Sequence, residues 1–149
     1  MDTLKLTTLR APATRHEVDH WVDLRDATTR ERLTASAVPG LVRLARVWGL
    51  SVEQTCALLG DVPASTWHAW KANPPADLGV DRLTRVSYLL GMYSALHVIF
   101  TGPLADEWMT RPNTNTLFGG AAPLDVVIRG GIPAMAAVRQ YLDSQRGGV

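Results

Sequence analysis

Apolar residues recur every three or four positions along most of this chain, and glycines and prolines interrupt that pattern at short intervals. A spacing of three and four matches the 3.6-residue turn of an α-helix, whereas strands alternate every two residues. One such apolar face is formed by Leu41, Leu44, Ala45 and Trp48. Gly49 then ends that helix. No segment shows convincing strand alternation, so the sequence predicts an all-α fold.

Composition limits the classes of function. The chain carries 15 basic and 14 acidic residues among 149, a formal net charge of +1. Any nucleic-acid contact must therefore come from a local patch or from several copies acting together. Cys56 is the only cysteine, which excludes an intramolecular disulfide and a cysteine-based zinc site and fits a cytoplasmic protein. We expect no secretory signal and no membrane span.

The glycines and prolines that interrupt the helical pattern divide the chain into four regions. Residues 1–31 are predicted to be an N-terminal arm with at most one short helix, and residues 32–80 a region of short helices. Residues 81–102 are predicted to form a long core or dimerisation helix, capped by Asp81 and apolar most of the way round. In residues 103–149, Pro123 opens a short helix that Gly130-Gly131 closes, and Pro133 opens the last one.

Two short helices joined by a glycine turn predict a helix-turn-helix within residues 32–80, with its second helix directed toward DNA. Ser51 and Gln54 have the spacing of a capping box at the start of the first helix, residues 52–59. The turn is residues 60–62 and the second helix residues 63–72. The alternative is an ordinary helical hairpin in a bundle.

The second helix has an inward and an outward side. Trp67 and Trp70 are three residues apart and are predicted to pack inward. The side chains then free to contact DNA are Ser65, Thr66, His68 and Lys71. Cys56, on the first helix, is predicted to be a buried packing thiol.

No set of residues predicts catalysis or a bound cofactor. His16 and His20 are four residues apart, but no third metal ligand lies nearby. Asp106 and Glu107 are adjacent and therefore point in different directions on a helix, which is a poor arrangement for acid–base chemistry. We expect neither a metal, nor a cofactor, nor enzymatic activity.

The ordered set of motifs resembles the Xre/MbcA/ParS antitoxins over about residues 40–149. It comprises the helix-turn-helix, the long helix, Trp108, Pro112-Asn113, Leu117-Phe118-Gly119-Gly120, Pro123-Leu124 and Gly130-Gly131. The resemblance implies an Xre-like helix-turn-helix bundle joined through the long apolar helix to a small C-terminal toxin-binding domain, residues 103–149. It also implies a RES-domain toxin that consumes NAD as partner, an active site blocked by the antitoxin, repression of its own operon, and self-association as a homodimer or in larger complexes with toxin.

Candidate toxin contacts lie near the C-terminus. Arg139 and Arg146 are seven residues apart, hence on roughly one helix face. With Tyr141 they form a candidate insertion set, because arginine and tyrosine are favoured interface anchors. Gly147 and Gly148, in the tail that follows, complete the predicted toxin-binding set. The alternatives are that both arginines are solvated helix charges, and that the chain is a transcriptional regulator whose C-terminal region serves dimerisation or ligand binding.

Overall fold

A computed structural model describes residues 22–147, and within them it contains six α-helices, one 3-10 turn and no strand. The prediction of an all-α fold is confirmed. In chain order the helices are α1 (Ala27–Trp48), α2 (Val52–Leu58), α3 (Ala64–Ala72), α4 (Val80–Ile99), α5 (Pro103–Glu107) and α6 (Pro123–Gly147), with the 3-10 turn Trp108–Thr110 directly after α5. None of the helices in this range combines the length and hydropathy that a membrane crossing requires.

The first helix begins earlier than the apolar pattern predicts. Asp26 caps α1, because its carboxylate accepts hydrogen bonds from the backbone N–H and the hydroxyl of Thr29, at 2.9 and 2.8 Å. These bonds favour the ionised carboxylate and lower the pKa of Asp26. The first turn of α1 is largely exposed and carries no apolar stripe, so periodicity alone does not reveal it. Gly49 ends the helix, as predicted.

The predicted cap of α4 is wrong. Gly79 occupies the cap position and Asp81 lies inside the first turn. The local carboxylate at this bend is Asp77, whose Oδ1 accepts the N–H of Gly79 at 2.8 Å. Asp81 instead accepts a hydrogen bond from Nε of Arg85, at 2.8 Å, across one helical turn.

The long helix α4 packs against α1, α5 and α6. Its buried side chains include Leu83, Val86 and Met92. The prediction that this helix is apolar most of the way round is wrong, because arginines interrupt the apolar surface near its start and the exposed His97 interrupts it near its end. The helix is thus central in position, but its exposed side mixes polar and apolar side chains.

A single hydrophobic cluster connects the helices of the described region. It draws side chains from both halves of the chain, among them Leu41 of α1, Leu58 of α2, Trp67 of α3, Leu89 of α4, Met109 of the 3-10 turn and Met135 of α6. Burying a large apolar side chain contributes about 1.5–3 kcal/mol. The helix-turn-helix and the C-terminal helices therefore share one core.

Helix α6 bends at Gly131, where φ is 65° and ψ is −149°. This backbone conformation is restricted almost entirely to glycine. The break that the sequence predicts at Gly130-Gly131 is therefore present. Pro133 stands in the first turn after the bend, where its missing N–H is tolerated.

Candidate functional site

A short glycine turn joins α2 and α3 at the place where the sequence predicts a helix-turn-helix. The capping box is present: the Ser51 hydroxyl accepts the N–H of Gln54 at 3.0 Å, and the Gln54 side chain accepts the N–H of Ser51 at 2.9 Å. In the turn, Gly60 has a φ of 85° and Asp61 a φ of 66°. The N–H groups of Asp61 and Val62 both donate to the Cys56 carbonyl, at 3.0 and 3.2 Å, which anchors the turn to the end of α2.

Helix α3 turns one side inward and one side outward. Trp67 is buried, as predicted, whereas Trp70 is half-buried and lies under the guanidinium of Arg82, 5.5 Å from the ring centroid. The predicted outward residues Ser65, His68 and Lys71 are exposed, and Thr66 is half-buried. No side chain caps the N-terminus of α3, so its first backbone N–H groups are without a side-chain acceptor.

Charge on and around α3 is mixed in sign. Lys71 is the basic residue of that helix, and the exposed acidic residues Glu53 and Asp61 lie on α2 and in the turn. Arg82 over Trp70 and Arg85 beside Gly60 add positive charge from α4. Because the acidic residues offset these cations, the net attraction for a phosphate backbone is modest.

Cys56 is buried within α2, with 7% of its surface exposed. Burial disfavours the thiolate and raises the pKa of the Cys56 thiol, while the charge of Lys71 acts in the opposite direction. A buried, protonated thiol is a weak nucleophile, in keeping with the predicted packing role.

Three aromatic rings join the 3-10 turn, the following loop and α6. Trp108 and Tyr141 are nearly parallel, with ring centroids 6.3 Å apart. The ring of Phe118 stands edge-on to both, at 5.5 and 6.0 Å. Tyr141 is half-buried in this cluster, so it packs against the loop as well as reaching the surface. Sequence spacing does not reveal this cluster, because its members are far apart in the chain.

Arg139 does not lie on the surface. It is 5% exposed, and its Nε donates to both carboxylate oxygens of Asp143 at 3.1 Å. Its guanidinium packs against Gly91 of α4, where a β-carbon would fall 1.5 Å from Nη1. The expectation that Arg139 is a free blocking residue disagrees with this burial. The spacing of Arg139 and Asp143 by four is a sequence signal for the ion pair that was missed.

Arg146 is placed differently. Its side chain is 36% exposed, and its Nη2 lies 3.8 Å from Oδ1 of Asp143. Arg139 and Arg146 therefore do share a helix face, with Asp143 between them, but only Arg146 reaches solvent. Gly147 is exposed, and Gly148 lies outside the described residues.

The C-terminal half also exposes large apolar side chains. Val98 at the end of α4 is 65% exposed, and Leu104 and Leu117 are partly exposed. Leu117 directly precedes Phe118 of the aromatic cluster in the chain.

The adjacent acidic residues Asp106 and Glu107 each pair with a basic side chain. His97 Nε2 lies 2.9 Å from Oδ1 of Asp106, and Glu107 pairs with Arg111. Asp106 and Glu107 thus have different partners, as their adjacency predicts. His16 and His20 fall outside the described residues, and within residues 22–147 no group of three or more potential ligands is arranged to hold a metal ion.

Comparison with known proteins places these surfaces in a family. A family model described as the antitoxin Xre/MbcA/ParS C-terminal toxin-binding domain matches residues 95–148. The chain is also 40% identical over 107 residues to a protein of Sinorhizobium fredii (strain NBRC 101917 / NGR234) named "Uncharacterized protein y4oB", across 71% of this chain and 81% of the relative. The chain belongs to the Xre/MbcA/ParS antitoxin family. No solved structure matches it.

The toxin-binding domain of this antitoxin family member covers the last turn of α4, α5, the 3-10 turn, the loop and α6. It contains the aromatic cluster, the Arg139–Asp143 pair and the exposed Arg146. The helix-turn-helix lies outside the matched residues but shares the core with them. The family assignment thus identifies residues 95–148 as the part of the chain that binds a toxin.

Proposed function

We propose that this chain is the antitoxin of a type II toxin–antitoxin system that binds a RES-domain, NAD-consuming toxin and neutralises it by covering its active site. The observation that carries the proposal is the match of the toxin-binding domain to residues 95–148. The same residues expose apolar side chains and a cation around a rigid helical frame, which supports a docking role. The antitoxin itself performs no catalysis and needs no cofactor.

The proposed toxin contacts are the half-buried Tyr141, the partly exposed Arg146 and Leu117, and the exposed Gly147. Gly148 of the predicted set, which lies outside the described residues, is kept as a further proposed contact. Arg139 is left out because it is buried against α4. Arg146 can exchange Asp143 for a toxin group at little cost, since a half-exposed ion pair contributes about 0–1 kcal/mol. Tyr141 is held by Trp108 and Phe118, so little side-chain freedom is lost on binding.

The proposal includes operator binding by α3. The exposed Ser65, His68 and Lys71 are spaced by three along the helix, and Thr66 lies beside them. The uncapped N-terminus of α3 offers backbone N–H groups to a phosphate. Because the local charge is low, binding requires a homodimer or a larger complex with toxin, whose copies add their phosphate contacts.

Co-expression with the RES-domain protein encoded beside this gene tests toxin neutralisation. We expect growth rescue, co-purification, and loss of NAD consumption in the purified complex. Arg146→Ala combined with Leu117→Asp should weaken toxin binding at least tenfold, because both changes remove contacts at the proposed interface. Arg129→Ala, which removes an exposed charge before the bend of the same helix, is the matched control and should have no effect.

A neighbour that is toxic but neither rescued nor bound would contradict the antitoxin function. Operator binding is tested separately with duplex DNA from upstream of the gene. The Ser65→Ala/Lys71→Ala variant should lose operator affinity and keep toxin affinity. Unchanged operator affinity would show that α3 is not the reading helix. A chain that binds this DNA but no toxin would be a transcriptional regulator instead.

A further inference from the structure

The side chain of Arg85 lies between the turn of the helix-turn-helix and the bend of α6. A β-carbon at Gly60 would fall 3.2 Å from Nε and 3.3 Å from Cζ of Arg85. A β-carbon at Gly131 would fall 3.9 Å from Nη1 of the same guanidinium. Nε is held by Asp81 at 2.8 Å, and the side chain is 18% exposed. One planar cation from α4 therefore lies beside both bends.

The Gly60 side of this contact leads directly to α3. The next residue, Asp61, is bonded to the Cys56 carbonyl, and Val62 after it is buried in the core. Helix α3 begins at Ala64, a few residues after Gly60. Because the short segment between them is held in place, a displacement of Gly60 also displaces the start of α3. The position of Gly60 thus sets the position of the proposed reading helix.

The Gly131 side of the contact leads to the proposed toxin contacts. The bend at Gly131 fixes the direction of the second part of α6, which carries Tyr141 and Arg146. Helix α2 also packs directly against α6. The predicted helix-turn-helix and the toxin-binding helix are therefore in direct contact.

We propose that Arg85 is a positioning residue that couples the two surfaces, so that toxin bound to α6 changes the affinity of α3 for operator DNA. Packed elements transmit small shifts because a close-packed interior has no free space to absorb them. The coupling is reciprocal: the factor by which toxin changes operator affinity equals the factor by which operator changes toxin affinity.

Because this coupling presupposes the proposed function, its test compares operator affinities of the full chain with and without bound RES-domain protein. The wild-type ratio of the two affinities should depart from one by about 5-fold or more, the usual range for coupled sites. Arg85→Gln removes the cation and should bring that ratio close to one while toxin neutralisation is retained. Arg85→Lys keeps the charge but loses the planar fork, and should restore the ratio only in part.

The control is Arg111→Gln. Arg111 also pairs with an acidic residue one helical turn earlier, but it is exposed and outside the two bends. The ratio of operator affinities with and without toxin in Arg111→Gln should equal that of the wild type. A purely structural role for Arg85 would lower stability and leave the ratio unchanged.

Amide hydrogen exchange of the wild type gives a second measurement that needs no variant. Toxin binding should change exchange at Gly60, Asp61 and Val62. A wild-type ratio of one, an unchanged ratio in Arg85→Gln, or no change in exchange at these amides would each overturn the coupling while leaving neutralisation intact. Failure of the wild type to bind toxin would instead refute the proposed function, and the coupling with it.

Discussion

Replacing Gly91 with alanine tests how tightly α4 and α6 are joined. Gly91 lies in the middle of α4, where the guanidinium of Arg139 fills the space that a side chain would take. An alanine β-carbon would lie 1.5 Å from Nη1 and 2.7 Å from Cζ. Both distances are far inside van der Waals contact, so Arg139 must move. Its Nε is bonded to both oxygens of Asp143, so this movement disturbs the ion pair.

The magnitude follows from opposing effects. Alanine is favoured over glycine inside a helix by about 1 kcal/mol. Overpacking a core costs about 1–3 kcal/mol, and breaking a buried ion pair costs about 3–5 kcal/mol. The Arg139 side chain is flexible and Arg146 remains near Asp143, so we expect both costs to lie near the lower ends of their ranges. The net expectation is a loss of about 2–3 kcal/mol, or about 4–12 °C in melting temperature for a chain of this size.

Urea unfolding at fixed protein concentration measures this loss. Gly40→Ala is the matched control, because Gly40 also lies inside a helix facing α4, and its β-carbon would meet only a Leu90 methyl at 3.3 Å. In an Arg139→Ala background the guanidinium is absent, so Gly91→Ala should become neutral or stabilising by up to about 1 kcal/mol. Equal destabilisation by Gly91→Ala in both backgrounds would refute the reasoning.

Further changes test other contacts. Ser51→Ala removes half of the capping box and should lower the free energy of unfolding by about 1 kcal/mol, while Thr28→Ala, on the exposed first turn of α1, should have little effect; equal losses would contradict the capping role. Trp108→Ala should cost about 3–5 kcal/mol by opening a cavity in the aromatic cluster, with near-ultraviolet circular dichroism reporting the lost ring packing. Because the pKa of Cys56 is raised in the folded state, the unfolded chain loses its thiol proton first, so stability should fall as pH rises above about 8.5; Cys56→Ala should lack that alkaline decline.

The local features were predictable because their causes lie close together in sequence. The two short helices α2 and α3 and the turn between them follow from Ser51, Gln54 and Gly60, each acting on backbone within a few residues. The α6 break follows from Gly131 for the same reason. The prediction that Asp81 caps α4 failed because Asp77, two residues before Gly79, supplies the carboxylate that accepts the Gly79 N–H.

The errors at the candidate site come from tertiary packing. Spacing places Arg139 and Arg146 on one face, but it cannot say where along that face α4 lies. Gly91 leaves room for the Arg139 guanidinium, and Gly91 belongs to a helix far away in the chain. Likewise, the role of Tyr141 depends on Trp108 and Phe118, which the 3-10 turn and the following loop bring to it.

The shared hydrophobic core has a consequence for how such proteins diversify. Leu58 beneath the helix-turn-helix and Met135 beneath the toxin-binding helix belong to one cluster. Recombination that exchanged one half for that of a relative would join two unmatched sets of core side chains. Changes in the proposed operator preference or in toxin preference should therefore arise by substitution on the outer faces. The two halves of the described region should be inherited together and not exchanged separately.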